Sequence, residues 1–461
     1  MRHGAHGWWI GEAGPPPPQP PLDGRVEADV VVVGGGYLGL WTAWHVLARA
    51  RGARVVVLEA DRCGFGPSGR NGGFVNGLWD KVGKVAARAG DDAALALARA
   101  ADESVHAIGA WCTAQEVDAW YRPAPHLLVS AAPAQDGSLS EEVAAARRLG
   151  GAGRLSELTP EEVAARCRSP LMRGGAMLHT AATVQPARLA FGLRARLLGR
   201  GVRIHEHSRV RRLEGGDPVI AHTDGGAVLA RTAVVAVNHA AVGLRPFRRA
   251  LSVASSHIVL TEPVPDVLEA AGWTGGEAIS DFRTMLHYFR TTRDGRIAFG
   301  WGGGRMAFGA RRHPTTDVDP RVVERTAHDL RAFFPALEGR AITHAWGGPI
   351  DVSPVRLPIF RSLGRVHAGF GFTGNGVGPA ELGGRILSAL ALDERDPVTR
   401  LAIVEPAAKR FPPEPLRYAG GALIRRAMVE RDDRLQRGEP VPAAVELVAS
   451  LPRRMGLNLP R

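Results

Sequence analysis

At 461 residues with 45% hydrophobic content, the chain is too long for one ordinary core, so two domains are expected. Its 57 glycines beside 33 prolines describe a loop-rich globular protein and exclude a disordered one. The net charge of +12 would suit a nucleic-acid or anionic-surface partner, yet only Lys81, Lys84 and Lys409 of the 58 basic residues are lysines. The arginines are scattered without interleaved aromatics, which leaves RNA binding only as a competing reading.

No apolar run reaches the length of a membrane span, and residues 1–6 lack the apolar core of a signal peptide, so a cytoplasmic protein is expected. Cys63, Cys112 and Cys167 are odd in number and far apart; they form neither a disulfide framework nor a metal site and read as reduced thiols.

In chain order, residues 1–24 read as an extended Pro-rich lead-in, stiff across residues 15–21, with Trp8 and Trp9 either docked or frayed. Residues 29–33 form a buried strand, 34–39 a tight turn, 40–50 a helix and 54–58 a second strand, together a parallel βαβ unit. Helices are expected at 141–149, at 160–166 (capped by Thr159 with Glu162 three residues on) and at 186–198, and strands at 202–205 and 233–237. After residue 250 longer alternating strands take over, with the clearest hairpin at 286–292 and 296–301 around Asp294-Gly295. The β/α texture returns at 366–370, followed by helices at 380–392 and 423–435. The order fits a Rossmann-like unit at 25–90, 170–248 and 350–400, a mixed-sheet unit at 91–169 and 249–349, and a helical tail at 401–461.

The pattern G-x-G-x-x-G occurs three times, at Gly34-Gly36-Gly39, Gly64-Gly66-Gly69 and Gly369-Gly371-Gly374. Only the first follows a strand and opens a helix, as diphosphate binding at a helix N-terminus requires. Glu59, 20 residues beyond Gly39, ends the second strand, where a carboxylate accepts from ribose hydroxyls and repels a 2′-phosphate. FAD is favoured over NAD by the polar glycine-rich loop 63–73, which can run its amides along a diphosphate and beneath an isoalloxazine. It is favoured again by residues 371–379, a glycine loop leading into a helix whose N-terminus can stabilise a reduced flavin.

On residues 29–40 (DVVVVGGGYLGL), 57–60 (VLEA), 68–73 (SGRNGG) and 374–378 (GNGVG), with Tyr288 in a hairpin ending at Gly300, the chain resembles the D-amino-acid-oxidase-like FAD oxidoreductases, in their γ-glutamylputrescine-oxidase-like branch. The resemblance spans residues 25–395. It implies an α/β fold in which a Rossmann-type FAD domain carries an inserted mixed-sheet substrate domain, the glutathione-reductase/D-amino-acid-oxidase architecture. It also implies that Gly34, Gly36, Tyr37, Leu38, Gly39, Glu59, Ala60, Ser68, Arg70, Asn71, Gly72, Gly73, Val210, Gly374, Asn375, Gly376 and Val377 bind FAD, Val210 through its backbone at adenine. Members with covalent flavin use a cysteine before the C-terminal glycine loop or a histidine in the loop after the second strand. Residues 341–378 hold no cysteine and 61–73 no histidine, so FAD is expected to be non-covalent.

Amino-acid oxidases of this kind place an arginine in a G-x-R-P stretch to grip the substrate carboxylate. The matching residues, Trp346 to Asp351, contain none, which favours an amine over an α-amino acid, although Arg290 or Arg356 can supply the charge instead. The expected chemistry is hydride transfer from an amine carbon to flavin in an aromatic pocket of Tyr288, Phe289, Trp301 and Trp346, with Tyr288 and Trp346 at the reacting end. Asp351 is a candidate partner for a substrate ammonium, and His257, His287 and His344 read as structural. A dehydrogenase passing electrons to a quinone or carrier instead of O2 remains the alternative within the same fold.

Overall fold

A computed structural model describes residues 2–3, 6–310, 313–407 and 410–456. The predicted βαβ unit forms the centre of an eight-stranded sheet. There Arg203–His205, Val55–Leu58, Gly24–Val33 and Gly226–Val235 run parallel, Val366–Phe370 adds to the last of them, and three antiparallel strands complete the edges. The valine run alternates as strands must: Val30 and Val32 enter one core and Val31 the other. Helices Tyr37–Arg49, Pro186–Gly199 and Val377–Ala391 cover the first of these faces.

The second large sheet has nine strands and carries the expected hairpin as His287–Thr291 and Ile297–Trp301. One of its faces packs Phe289 and Phe299 against Phe333 of helix Pro320–Phe333; the other turns Ile258, Tyr288 and Trp346 towards the N-terminal segment. Thr159 and Glu162 form the predicted capping box.

Several expectations change. Residues 1–24 are not simply extended: Arg2–His3 pairs with strand Ile342–Val352, and Gly7–Ala13 is a helix that buries Trp9 completely. Helices expected at 40 and 380 start at Tyr37 and Val377, because glycine caps placed earlier (Gly36, Gly376) end the preceding loops. The hairpin loop is the three residues 293–295 that the expected strand ends leave, in place of a two-residue Asp-Gly turn. Thr292 N–H donates to Arg296 O at 2.9 Å, and Gly295 sits at φ 75° in the left-handed position that closes such a loop. Gly175–Leu178 hydrogen-bonds to His126–Val129 in the nine-stranded sheet, on the opposite side of the boundary drawn at residue 170. Among the described residues, no helix is long and apolar enough to cross a membrane.

Candidate active site

One cavity of about 2000 Å3 runs between the two sheets. It begins at Glu59, Ala60 and Val210, passes Gly34, Gly36 and Leu38, continues along Ser68, Arg70, Asn71 and Gly72, and reaches Tyr288 and the loop Gly374 to Val377. The sequence had scattered these residues over more than 300 positions; the parallel strand ends bring them together, as the crevice at the carboxyl ends of such a sheet should.

The first glycine turn is built for close approach. A Cβ at Gly39 would lie 1.9 Å from Gly34 O, so only glycine lets the helix pack on the strand; Gly39 supports the turn from behind and does not line the cavity. The N-cap Gly36 has no side chain to cap helix Tyr37–Arg49; Ser68 Oγ instead accepts from Tyr37 N–H at 2.8 Å, and the rest of the first turn is left facing the cavity. The Tyr37 ring turns into the core, its hydroxyl donating to Pro186 O. Glu59 accepts from Gly35 N–H at 2.7 Å and from Asp61 N–H at 2.9 Å, and burial raises its carboxyl above the ordinary range. Helix Val377–Ala391 likewise lacks a side-chain cap and points its N-terminus at the cavity behind Gly374, which adopts φ 84°. Open glycine-lined backbone at both helix N-termini fits a dinucleotide with a flavin ring.

The loop between these points is held by its own polar groups. Asn71 Oδ1 accepts from Gly73 N–H at 2.7 Å, and its amide donates to Pro67 O and Ser68 O, so this side chain shapes the loop. Arg70 is buried, with its guanidinium directed at Gly347 O and Asp317, each at 3.4 Å. Arg290, considered as a carboxylate ligand, instead donates to Gly73 O at 3.2 Å and Val184 O at 2.5 Å, and burial lowers its pKa to about 9. It clamps the loop and is closed to a substrate. Gly73 sits against this clamp at φ 75° and does not line the cavity.

Tyr288 stands at the cavity wall with its hydroxyl 2.7 Å from Ser256 Oγ; burial pushes its pKa to about 12, so it stays protonated. Of the other three aromatics expected beside it, Phe289 and Trp301 lie on the far face of the sheet, as alternation along the strands requires. Trp346 borders the cavity but is fully buried, and its indole N–H donates to Arg70 O at 2.8 Å. The site's second ring is one the sequence reading missed: Phe74 lies edge-on to Tyr288 at 5.8 Å and to His126 at 5.4 Å. Its position directly after SGRNGG was the available signal. His126 is neutral, its pKa lowered to about 4 by burial, with Nε2 2.9 Å from Ser280 Oγ.

Asp351 borders the cavity, but its carboxyl is already engaged. It is buried, accepts from Gly371 N–H at 2.6 Å and is bonded by Asn238, and burial raises its pKa to about 7. His257 accepts from Asp319 N–H and is structural, with its pKa lowered to about 4 by burial. Burial alone would discharge His287, but Asp281 at 2.7 Å and Asp329 at 3.0 Å outweigh it and raise its pKa. Arg356 lines the cavity at φ 55°; its backbone N–H donates to Ser353 O at 3.2 Å, its guanidinium has no hydrogen-bond or ion-pair partner among the described residues, and burial lowers its pKa to about 10. Cys63, Cys112 and Cys167 are buried free thiols.

A glycine turn at a parallel strand end, a carboxylate at the next strand and a second helix N-terminus across the cavity define a flavoprotein oxidoreductase site. The chain belongs to the FAD dependent oxidoreductase (DAO) family, which matches residues 29–390. It is similar to γ-glutamylputrescine oxidoreductase of Escherichia coli (strain K12), with 32% identity over 80% of this chain and 84% of that protein. It also resembles a probable oxidoreductase, OrdL, of Rhizobium meliloti (strain 1021), at 29% identity over 84% and 88%. In fold it matches glycine oxidase from Geobacillus kaustophilus with a TM-score of 0.67 at 18% identity, covering 81% of this chain and 96% of that one. L-proline dehydrogenase from P. horikoshii gives 0.65 at 17% identity, covering 82% and 96%.

Proposed function

We propose that this flavoenzyme oxidises a C–N bond of a primary or secondary amine, polyamine-derived or N-substituted, to an imine, with FAD held non-covalently and O2 as the final electron acceptor. The observation that carries this reading is the uncharged wall around Tyr288, made by Phe74, Ser256, Ile258 and a neutral His126. An alkylammonium must lose its proton before the adjacent carbon can release hydride, and with a lysine-like pKa about one molecule in 10³ is neutral at pH 7. An apolar wall lowers that pKa. The ring faces of Phe74 and Tyr288 receive the cation, and Tyr288, fixed by Ser256, orients the nitrogen. When bound, FAD supplies the hydride acceptor. The name of the Escherichia coli relative points to the same substrate class, an N-substituted diamine.

In this reading Glu59, Ala60 and the Val210 backbone hold the adenosine, Gly34, Gly36 and Leu38 the diphosphate, and Ser68, Arg70, Asn71 and Gly72 with Gly374 to Val377 the ring, while the Tyr37 amide and Gly73 hold the loop in place behind them. Trp346 is a positioning residue through Arg70. Residues 25–90, 170–248 and 350–400 serve FAD, less the strand Gly175–Leu178, and 91–169 and 249–349 serve the substrate.

Arg356 favours a second reading, in which the amine also bears a carboxylate, since a cation in the cavity wall calls for an oxyanion. The test is anaerobic bleaching of the yellow protein by a panel of amines and α-amino acids, after acid precipitation has shown whether the flavin is released as FAD. Bleaching by amines alone, with peroxide on re-aeration, supports the proposal. Bleaching only by carboxylate-bearing substrates selects the second reading, and re-aeration without peroxide selects a dehydrogenase.

A further inference from the structure

The family match ends at residue 390, yet the cavity does not. Its far end is walled by the tail helices Leu416–Gln436 and Ala443–Arg454, which pack on each other and on Met285 through Met428 and Ala449. The first helix is fastened to the strand ends beside Tyr288 by charge. Arg325 bridges Asp433 at 2.6 Å and Asp329 at 2.7 Å, Asp329 meets His287, and Arg425 donates to Gly303 O at 3.0 Å. Leu416, Gly420, Ile424 and Met428 recur every fourth residue, which puts them on one face, and all four line the cavity. Leu416 is 65% exposed on that face. At Gly420 a Cβ would meet nothing within 4 Å, so a poor helix former leaves open space in the wall.

We infer that this helix face is the specificity-determining wall of the substrate chamber: it receives the aliphatic arm of the amine beyond the reacting carbon, and the missing side chain at Gly420 sets the length admitted. The inference rests on the amine reading given above. Alkyltrimethylammonium ions from butyl to decyl test it on the full-length holoprotein, because a quaternary nitrogen has no lone pair and cannot be oxidised. Binding is read as perturbation of the visible flavin band. In the natural protein the dissociation constant should fall about fourfold per added methylene. Gly420→Leu should flatten that dependence from hexyl upward, and Ile424→Ala should weaken the long ions, while Leu423→Ala, on the exposed outer face, should change neither. The same chain-length dependence in natural protein and Gly420→Leu overturns the inference, as does none in the natural protein. A retained dependence with no amine able to bleach the flavin refutes the amine reading and leaves the wall in place.

Discussion

Tyr288 and Gly300 face each other across the hairpin, and a Cβ at Gly300 would come 2.1 Å from Tyr288 Cζ. Gly300→Ala must therefore push the ring off Ser256. With Tyr288 orienting the substrate, flavin reduction should slow by about 10²-fold, as a displacement near 1 Å can cause, while flavin content stays unchanged. Rapid-mixing anaerobic reduction beside the protein-to-flavin absorbance ratio checks this; an unaltered rate would remove Tyr288 from the chemistry. Asp351 gives a second prediction at this scale. Its native pKa near 7 lies above the ordinary 3.8, so between those values the folded protein keeps a proton that the unfolded chain has released. Stability then falls as pH rises through this window and levels off above it. Asp351→Asn does not titrate and keeps an acceptor for Gly371 N–H. From pH 5 to pH 8 the natural protein should lose about 2–3 kcal/mol relative to the variant, measured by urea denaturation; parallel pH curves would show that the carboxyl is already ionised at pH 5.

Among the elements, the loop after the second strand contains a near copy of the first glycine turn. Its Gly69 is to Gly64 what Gly39 is to Gly34, since a Cβ there would lie 2.2 Å from Gly64 O. Pro67–Gly69 is a short 3-10 turn that presents Ser68 to Tyr37 N–H. Gly69→Ala and Gly39→Ala should therefore both lower FAD affinity, with the folded core retained in the former. Ultrafiltration of the holoprotein measures this, and full flavin retention would show the loop to be decoration. Sequence pattern assigns this loop to FAD through its glycines but gives its G-x-G-x-x-G no helix to open, because that rule catches α-helix starts and misses a 3-10 turn. Legibility elsewhere followed the same physics. The strand of residues 29–33, the turn at Gly34 and the helix at 186 were readable because hydrophobic period and capping chemistry are local. The exclusion of Phe289 and Trp301 from the pocket was readable too, since strand alternation separates them from Tyr288. What no local pattern carried was long-range pairing: Arg290 reaching back to Gly73, Trp346 to Arg70, and Phe74 meeting His126.

At the scale of the whole molecule, the N-terminal segment acts as a strap across both sheets. Arg2–His3 extends the nine-stranded sheet, Trp9 packs edge-on against Trp346 at 6.4 Å, and Glu12 pairs with Arg188 at 2.8 Å. The proline run then crosses to the dinucleotide sheet, where Arg194 donates to Pro17 O at 2.8 Å, Gln19 N–H to Glu206 at 2.6 Å, and Leu22 N–H to Ser208 at 2.8 Å. Glu206 also holds Cys63 N–H at the head of the glycine loop, so the strap and the loop share one buried carboxylate. The polyproline stiffness that reads as a featureless lead-in is what lets a chain without internal hydrogen bonds span this distance at low entropic cost. Trp9→Ala removes the anchor and leaves a cavity beneath Trp346, whose indole fixes the Arg70 carbonyl. Stability should drop by about 3–5 kcal/mol. Flavin should also leave at a denaturant concentration below that of global unfolding, because the loop loosens before either sheet opens. Following flavin fluorescence and far-ultraviolet circular dichroism through one urea titration separates the two events. Coincident transitions at the natural midpoint would mean that the strap contributes neither stability nor order to the loop, and that Trp346 is held by the nine-stranded sheet alone.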